Sequence, residues 1–171
     1  MALEKKSFVF ETLPGSLEEL KARPEAALKD PFAVAALFAA VLCVYPGDRD
    51  AALEMIDFLR GPRPQSPMDK QFIRDRFSDG KDYLGRSYFA GALPSNDYTP
   101  AEPWTVTVEE QAHSRDQFSE GYLRLALVSG GADSPRPITL RTKPSTGEWF
   151  LWEYSGLLAG IRVPASRDDW A

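Results

Sequence analysis

The chain has 171 residues, of which 26% are charged and 43% are hydrophobic, and its formal net charge is -5. This length suits one domain with a sizeable core, and the acidic balance argues against a general affinity for nucleic acid or anionic membranes. The single cysteine, Cys43, excludes an intrachain disulfide and favours a reducing compartment. Charges occupy the N-terminus where a secretory signal needs an apolar segment, so we predict a cytoplasmic protein.

The first predicted element is a short strand from Ser7 to Thr12, which Pro14 and Gly15 end. Ser16 then opens a capping-box pattern that predicts a modest amphipathic helix. The strand can pair at either edge of a sheet or stay unpaired, and the sequence leaves this open.

The stretch from Asp30 to Tyr45 predicts a helix that is apolar on every side. Asp30 can cap its first turn, Pro31 suits the first helical position, and Pro46 ends it. Each exposed face would forfeit roughly 25 cal/mol per Å² of apolar area. We therefore expect this helix, at residues 31–45, to be buried at the centre of the core. It is too short for a membrane span, which needs about 20 apolar residues.

Two further helices are predicted after the apolar one. Asp48 can cap a helix whose apolar residues fall on one face and which ends at Gly61. A proline-rich connector follows, and Ser66 can cap the next helix. Glycines and prolines then predict a long loop over residues 78–103.

The C-terminal part changes to a period of two residues, which is typical of strands. We predict about four antiparallel strands, beginning near Trp104, Tyr122, Ile138 and Glu148, with one face packed on the helices. The sequence thus predicts an α+β fold, in which a helical half precedes a sheet half.

These predictions give a single domain over residues 1–171. The helical half covers about 1–90 and the antiparallel sheet half about 103–164. The remaining residues, 165–171, are expected to form a mobile tail, in which Trp170 can anchor the segment or reach a partner.

Two C-terminal segments carry a resemblance to a known family. The sequence RPITLRTK from Arg136 to Lys143, followed by WFLWEYSGLLAGIRVP from Trp149 to Pro164, is similar to the ending of an uncharacterised family of bacterial proteins with a domain of unknown function. The resemblance covers roughly the last third of the chain and implies a bacterial, cytoplasmic protein. It supplies no activity, cofactor or catalytic residue.

No pattern in the sequence predicts a catalytic, metal or cofactor site. His113 is the only histidine and lies in a polar stretch between two predicted strands, which favours a solvated loop residue over a catalytic base. Cys43 lies within the apolar helix, where a thiol is inert. Paired acids such as Glu109 and Glu110 point to opposite faces of a strand, and the glycines of SGGADS lack the lysine of a phosphate loop.

The strongest local signal is the aromatic and arginine content of the sheet. If the alternating leucines face the helices, then Tyr122, Arg124 and Arg141 share the opposite, open face. In the last strand either the set with Trp149 or the set with Trp152 joins that face. The candidate surface residues of the sheet are therefore Tyr122, Arg124, Arg141, Trp149, Trp152 and Glu153.

Two interpretations of this surface stay open. In the first, Glu153 pairs with Arg141 or Arg124 across strands, and the rings cover arginine stems. In the second, the arginines and rings form a recognition surface, because binding interfaces are enriched in these residue types.

A second candidate surface lies in the long loop. Tyr83, Arg86 and Tyr88 occur there among glycines and small polar residues, a mixture that suits ligand contact. Packing of the loop onto the sheet explains the same residues without a ligand.

The sequence therefore favours a non-catalytic binding or interaction module that uses the open sheet face. Its partner is an unknown protein or a small ligand, with no nucleic acid, membrane or cofactor, and the chain is a monomer or a homodimer. The alternative is a small, hydrolase-like enzyme with a cleft between the helical and sheet halves.

Overall fold

The computed structural model describes residues 2–171, and four helices and five strands make up its regular structure. The elements in chain order are β1 (Lys5–Phe10), α1 (Leu17–Lys21), α2 (Pro31–Val44), α3 (Arg49–Arg60), α4 (Pro67–Arg76), β2 (Trp104–Glu110), β3 (Tyr122–Leu127), β4 (Arg136–Lys143) and β5 (Glu148–Glu153).

The strands form one antiparallel sheet in the order β1-β2-β3-β4-β5. The sheet has five strands, whereas the sequence predicts about four. The additional strand is β1, which pairs with β2 so that Ser7 lies opposite Thr107. Nearly 100 residues separate these partners, and no local pattern specifies a pairing over that distance.

Helix α2 is buried as its apolar sequence predicts. The Asp30 carboxylate accepts a hydrogen bond of 2.9 Å from the backbone amide of Phe32, which caps the first turn. All residues from Phe32 to Leu42 are buried. The helix contacts all five strands, so it occupies the centre of the core between the sheet and the other helices.

The link between α3 and α4 is a short connector over residues 61–66. Gly61 ends α3 with a φ of 63°, and the Ser66 side chain caps α4 through a capping box with Asp69. The backbone amide of Gln65 donates a 2.8 Å hydrogen bond to Asp57 of α3. These contacts hold the connector close to β5. Gly61 approaches the Phe150 ring so closely that a Cβ at this position would lie 2.3 Å from it.

The long loop over residues 78–103 packs against the rest of the fold. Tyr83 and Tyr98 stack with ring centroids 5.2 Å apart, and Phe89 forms a bridge with Val106 of β2. Both tyrosines are buried. The packing interpretation of this loop therefore accounts for its aromatic residues.

Residues near the C-terminus contact the long loop over residues 78–103. Arg167 donates a 2.6 Å hydrogen bond to the carbonyl of Gly80, and Ser166 donates one to Asp97. None of the helices in residues 2–171 combines the length and the apolar character needed to cross a membrane.

Candidate functional site

The principal open site is a groove between β5 and the connector over residues 61–66. It consists of two adjoining cavities of about 370 and 570 Å³, both lined by Arg60, Arg63 and Trp152, and we call it the Trp152 groove. The first cavity is also lined by Arg141, Lys143 and Phe150, and the second by Met68, Asp69, Phe72, Glu153 and Tyr154.

The outward position of Trp152 follows from the strand pairing. Leu140 lies opposite Leu151, whereas Thr139 lies opposite Glu153, so Trp152 is the extra residue of a β-bulge in β5. A bulge re-aims side chains locally. Phe150, Trp152 and Glu153 line the groove, whereas the Tyr154 ring packs on Phe38 of α2. The bulge therefore brings members of both predicted sets to the outer face, and neither set does so as a whole.

The indole of Trp152 is in contact with two guanidinium groups. The Arg141 guanidinium carbon is 4.5 Å from the Trp152 ring centroid and 5.2 Å from that of Tyr122. On the connector, the guanidinium carbon of Arg63 is 5.3 Å from the same indole. Stacking on ring faces holds both cations in position and leaves their N–H groups free for a ligand.

The outer cations of the groove have no acidic partner in the part of the chain that the structure describes. Arg63, Arg141 and Lys143 are exposed, and among residues 2–171 none of the three forms an ion pair. In a chain whose formal net charge is -5, this is a local concentration of uncompensated positive charge. Such a surface attracts anions.

Arg60 has a different role. Its guanidinium donates hydrogen bonds of 2.7 Å to the Tyr154 hydroxyl and 2.9 Å to the Arg63 carbonyl, and it lies 3.4 Å from an Asp69 carboxylate oxygen. Its side chain is only 11% exposed. Arg60 therefore joins the connector, α4 and β5 and shapes the groove floor.

Two carboxylates line the second cavity, and both accept hydrogen bonds from backbone amides. The backbone amide of Ser66 lowers the pKa of Asp69, with the Arg60 charge adding to this effect. Hydrogen bonds from Ser155, its side chain and its backbone amide, lower the pKa of Glu153. Both groups are thus ionised at neutral pH, a state unsuited to a general acid.

The structure separates the other predicted sheet residues. Arg124 is exposed and lines a cavity of about 360 Å³ with Tyr122 and His113, next to the groove but outside it. Trp149 lies on the other side of the sheet, 5.9 Å from the Phe118 ring. The cross-strand ion pair expected for Glu153 does not form, because that carboxylate instead accepts the backbone amide of Ser155.

The three predicted loop residues are part of the structural packing. Tyr83 and Tyr88 are each 2% exposed, which corrects their assignment to a contact surface. Arg86 uses its guanidinium to bind three backbone carbonyls, those of Asp82, Asp97 and Tyr98. An arginine committed to its own loop in this way stabilises the loop conformation.

The remaining reactive side chains lie apart from the groove. The Cys43 thiol packs against Gly85, and desolvation by burial raises its pKa. His113 is exposed, with its Nδ1 atom 3.2 Å from Asp116. Among residues 2–171, no group of three or more His, Cys, Asp or Glu side chains is arranged to hold a metal ion. Side chains of α2 fill the centre of the contact between the helices and the inner sheet face, and the groove is a cleft between the two halves, with Arg60 and Phe72 on the helical side and Trp152 on the sheet side.

Sequence reasoning missed the connector side of the groove. Arg60 and Arg63 flank Gly61 and Pro62 at the end of α3, and their spacing resembles an ordinary solvated turn. Two arginines beside prolines were a usable signal, since a stiff segment can present cations at low entropic cost. Their position over β5 depends on contacts with residues about 90 positions later in the chain, so no local sequence pattern predicts it.

Comparison with known protein families gives a match over most of the chain. A family model described as "Domain of unknown function (DUF6935)" matches residues 12–165. No curated protein and no solved structure matches the chain. The match spans nearly the whole chain and confirms the resemblance to an uncharacterised family with a domain of unknown function. This chain therefore belongs to the DUF6935 family, a family whose domain has no known function.

Proposed function

We propose that this protein is a binding module that takes up an anionic partner, a protein segment or a small ligand, in the Trp152 groove. The observation that carries the proposal is the stacking of Arg63 and Arg141 on the groove indole without any carboxylate partner among residues 2–171. Unpaired arginines held against a ring are enriched at interfaces that recognise anions.

The shape of the groove supports a partner with an apolar part. Phe150, Trp152 and Pro62 provide apolar surface in the first cavity, and the exposed Met68 extends it in the second. Binding sites combine apolar surface with a few placed polar groups, which fix the orientation of the ligand. A carboxylate attached to a flat or aliphatic body satisfies both requirements.

The cations are positioned before any ligand arrives. Arg60 is bound by Asp69 and Tyr154, so the connector that carries Arg63 is held against β5. Arg141 is confined between two rings. A preorganised site loses less conformational entropy on binding than a flexible one, which favours binding by these residues.

Isothermal titration calorimetry with two anionic probes tests the proposal. The probes are indole-3-acetate and a capped peptide of alternating glutamate and leucine, and a capped lysine–leucine peptide is the negative control. We expect at least one anionic probe to bind, with an affinity that falls as salt rises. We expect Arg141→Ala to weaken that binding about tenfold, since a charge-assisted hydrogen bond contributes roughly 1.5–3 kcal/mol.

Arg124→Ala is the matched control for this experiment. Arg124 is an exposed arginine on the neighbouring strand, and it lines a different cavity. Its replacement removes the same charge without changing the groove, so binding should be retained. Equal losses in the two variants would show a general charge effect, and no binding of either anionic probe would refute the proposal.

A further inference from the structure

The C-terminal segment over residues 168–170, Asp-Asp-Trp, exposes an aromatic ring that the fold does not use. Trp170 is 94% exposed, the most exposed of the large hydrophobic side chains. Its backbone amide donates a 2.9 Å hydrogen bond to the Asp168 carboxylate, which forms a turn. Asp168 and Asp169 are also exposed, so the turn presents two carboxylates beside an indole.

The base of this turn is fixed to the long loop. The Arg167 guanidinium binds the carbonyl of Gly80 and lies 3.2 Å from a carboxylate oxygen of Asp82. Its carbon is 5.7 Å from the ring centroid of Tyr83, which is buried. The turn therefore projects from a defined place on the surface.

The turn and the Trp152 groove are complementary in charge and in chemistry. The groove offers Arg63 and Arg141, which form no ion pair among residues 2–171, and an aromatic floor. The turn offers two carboxylates and an exposed indole, which is absent from the groove of its own chain because Trp170 is 94% exposed. Opposite charges and aromatic anchors are the features that pair at protein interfaces.

We infer that the Trp152 groove is occupied by the Asp168–Trp170 turn of a second copy of this chain. This inference rests on the proposed function, because it names the anionic partner of the same groove. The indole of Trp170 packs in the groove on the apolar surface, and the carboxylates of Asp168 and Asp169 accept hydrogen bonds from Arg63 and Arg141 of the other copy.

The placement of both features allows a reciprocal exchange. Helix α4 contributes Met68 and Phe72 to the groove, and Gly80 and Asp82, which hold the turn, follow the end of the same helix. A helix of ten residues is about 15 Å long, so the groove and the base of the turn lie near the two ends of one short helix. Two copies related by a two-fold axis can then each insert a turn into the other's groove.

Sedimentation velocity over protein concentrations from about 10 to 500 µM tests this inference, since weak dimers populate in that range. We expect the full chain to shift from monomer towards dimer as concentration rises and as salt falls. Trp170→Ala and Arg141→Ala should each weaken the association about tenfold or more, whereas Arg124→Ala should leave it unchanged. Because Trp170 is exposed, its replacement should not affect folding, and circular dichroism checks this.

Mixing the two variants provides a second readout. The Trp170→Ala protein keeps its groove, and the Arg141→Ala protein keeps its turn, so a mixture restores one of the two contacts. We expect the mixture to associate more strongly than either variant alone. A symmetric contact elsewhere on the surface would give no such recovery.

The outcomes separate this inference from the proposed function. A monomer at all concentrations, or a dimer that Trp170→Ala leaves intact, overturns the second-copy assignment. If the full chain nevertheless binds the glutamate–leucine peptide through Arg141, the groove still binds anions and the proposed function stands. If neither association nor probe binding is found, both are refuted.

Discussion

The two faces of the sheet differ in whether their side chains are covered by other parts of the same chain. On the inner face, strand leucines pack against α2, and Leu125, Leu127 and Leu140 are completely buried. On the outer face at β4 and β5, rings and guanidinium groups pack against one another beside an open groove. The inner face is complementary to its own chain, whereas the outer face holds arginines that have no carboxylate partner among residues 2–171.

The two faces are nevertheless connected through one side chain. The ring of Tyr154 lies 4.8 Å from that of Phe38 in α2, and its hydroxyl accepts the hydrogen bond from Arg60. Burial raises the pKa of Tyr154, so it remains a neutral hydroxyl. Core packing thereby fixes the position of the groove floor.

The largest expected effect is on the inner face. Phe38 is completely buried, so Phe38→Ala should lower the free energy of unfolding by about 3–5 kcal/mol, through lost burial and the cavity left behind. Guanidinium denaturation followed by circular dichroism measures this. A loss below about 1 kcal/mol would contradict the assignment of α2 as the centre of the core.

A smaller loss is expected where the connector meets β5. Gly61→Ala places a methyl group 2.3 Å from the Phe150 ring at a φ of 63°, and we expect destabilisation of about 1–3 kcal/mol. Gly47→Ala is the matched control, because its Cβ would meet only a carbonyl oxygen at 3.9 Å. Denaturation midpoints of both variants provide the test, and equal midpoints would mean that the connector is not fixed against β5.

Alkaline pH should destabilise the protein through the buried tyrosines of the long loop. Burial, with Tyr83 nearby, raises the pKa of Tyr98 from 10.0 to about 12, and burial also raises the pKa of Tyr88. Between pH 10 and about pH 12 the unfolded chain loses tyrosine protons that the folded chain retains. The stabilising contribution of these tyrosines is therefore fully present below about pH 10 and is lost as the pH rises from 10 towards 12.

Absorbance of tyrosinate during unfolding at each pH measures this effect. We expect the buried tyrosines to ionise only when the protein unfolds. Ionisation of all tyrosines near pH 10 in the folded state would contradict the burial of the loop.

The smallest effect on stability is expected for the outer face. Arg141→Ala removes an exposed cation from two rings, which should lower the free energy of unfolding by less than about 1 kcal/mol. Thermal denaturation of the wild-type protein, Arg141→Ala and the control variant Arg124→Ala measures the loss of stability. A loss of several kcal/mol would show that Arg141 serves the fold, which would remove the main support for a binding role.

The sequence predicts the inner face well because its signals are local. The unbroken apolar run at 31–45 predicts α2, which spans Pro31–Val44, and alternation predicts β2 to β5. The pairing of β1 with β2 and the bulge at Trp152 depend on distant partners, so no local pattern reveals them. Tyr122, Arg141 and Trp152 are found by pattern, but Arg63 is not, because the groove exists only once the connector packs beside β5.

The most direct test of anion binding in the Trp152 groove is a two-dimensional ¹⁵N–¹H spectrum of the tryptophan indoles, recorded during titration with the capped glutamate–leucine peptide. The chain has four tryptophans, of which Trp152 lies in the groove and Trp149 on the opposite face. Trp152→Phe assigns the relevant peak. If the groove binds the peptide, the Trp152 peak moves in a saturable, salt-sensitive way while the Trp149 peak stays in place. Movement of Trp149 alone, or of neither peak, would contradict it.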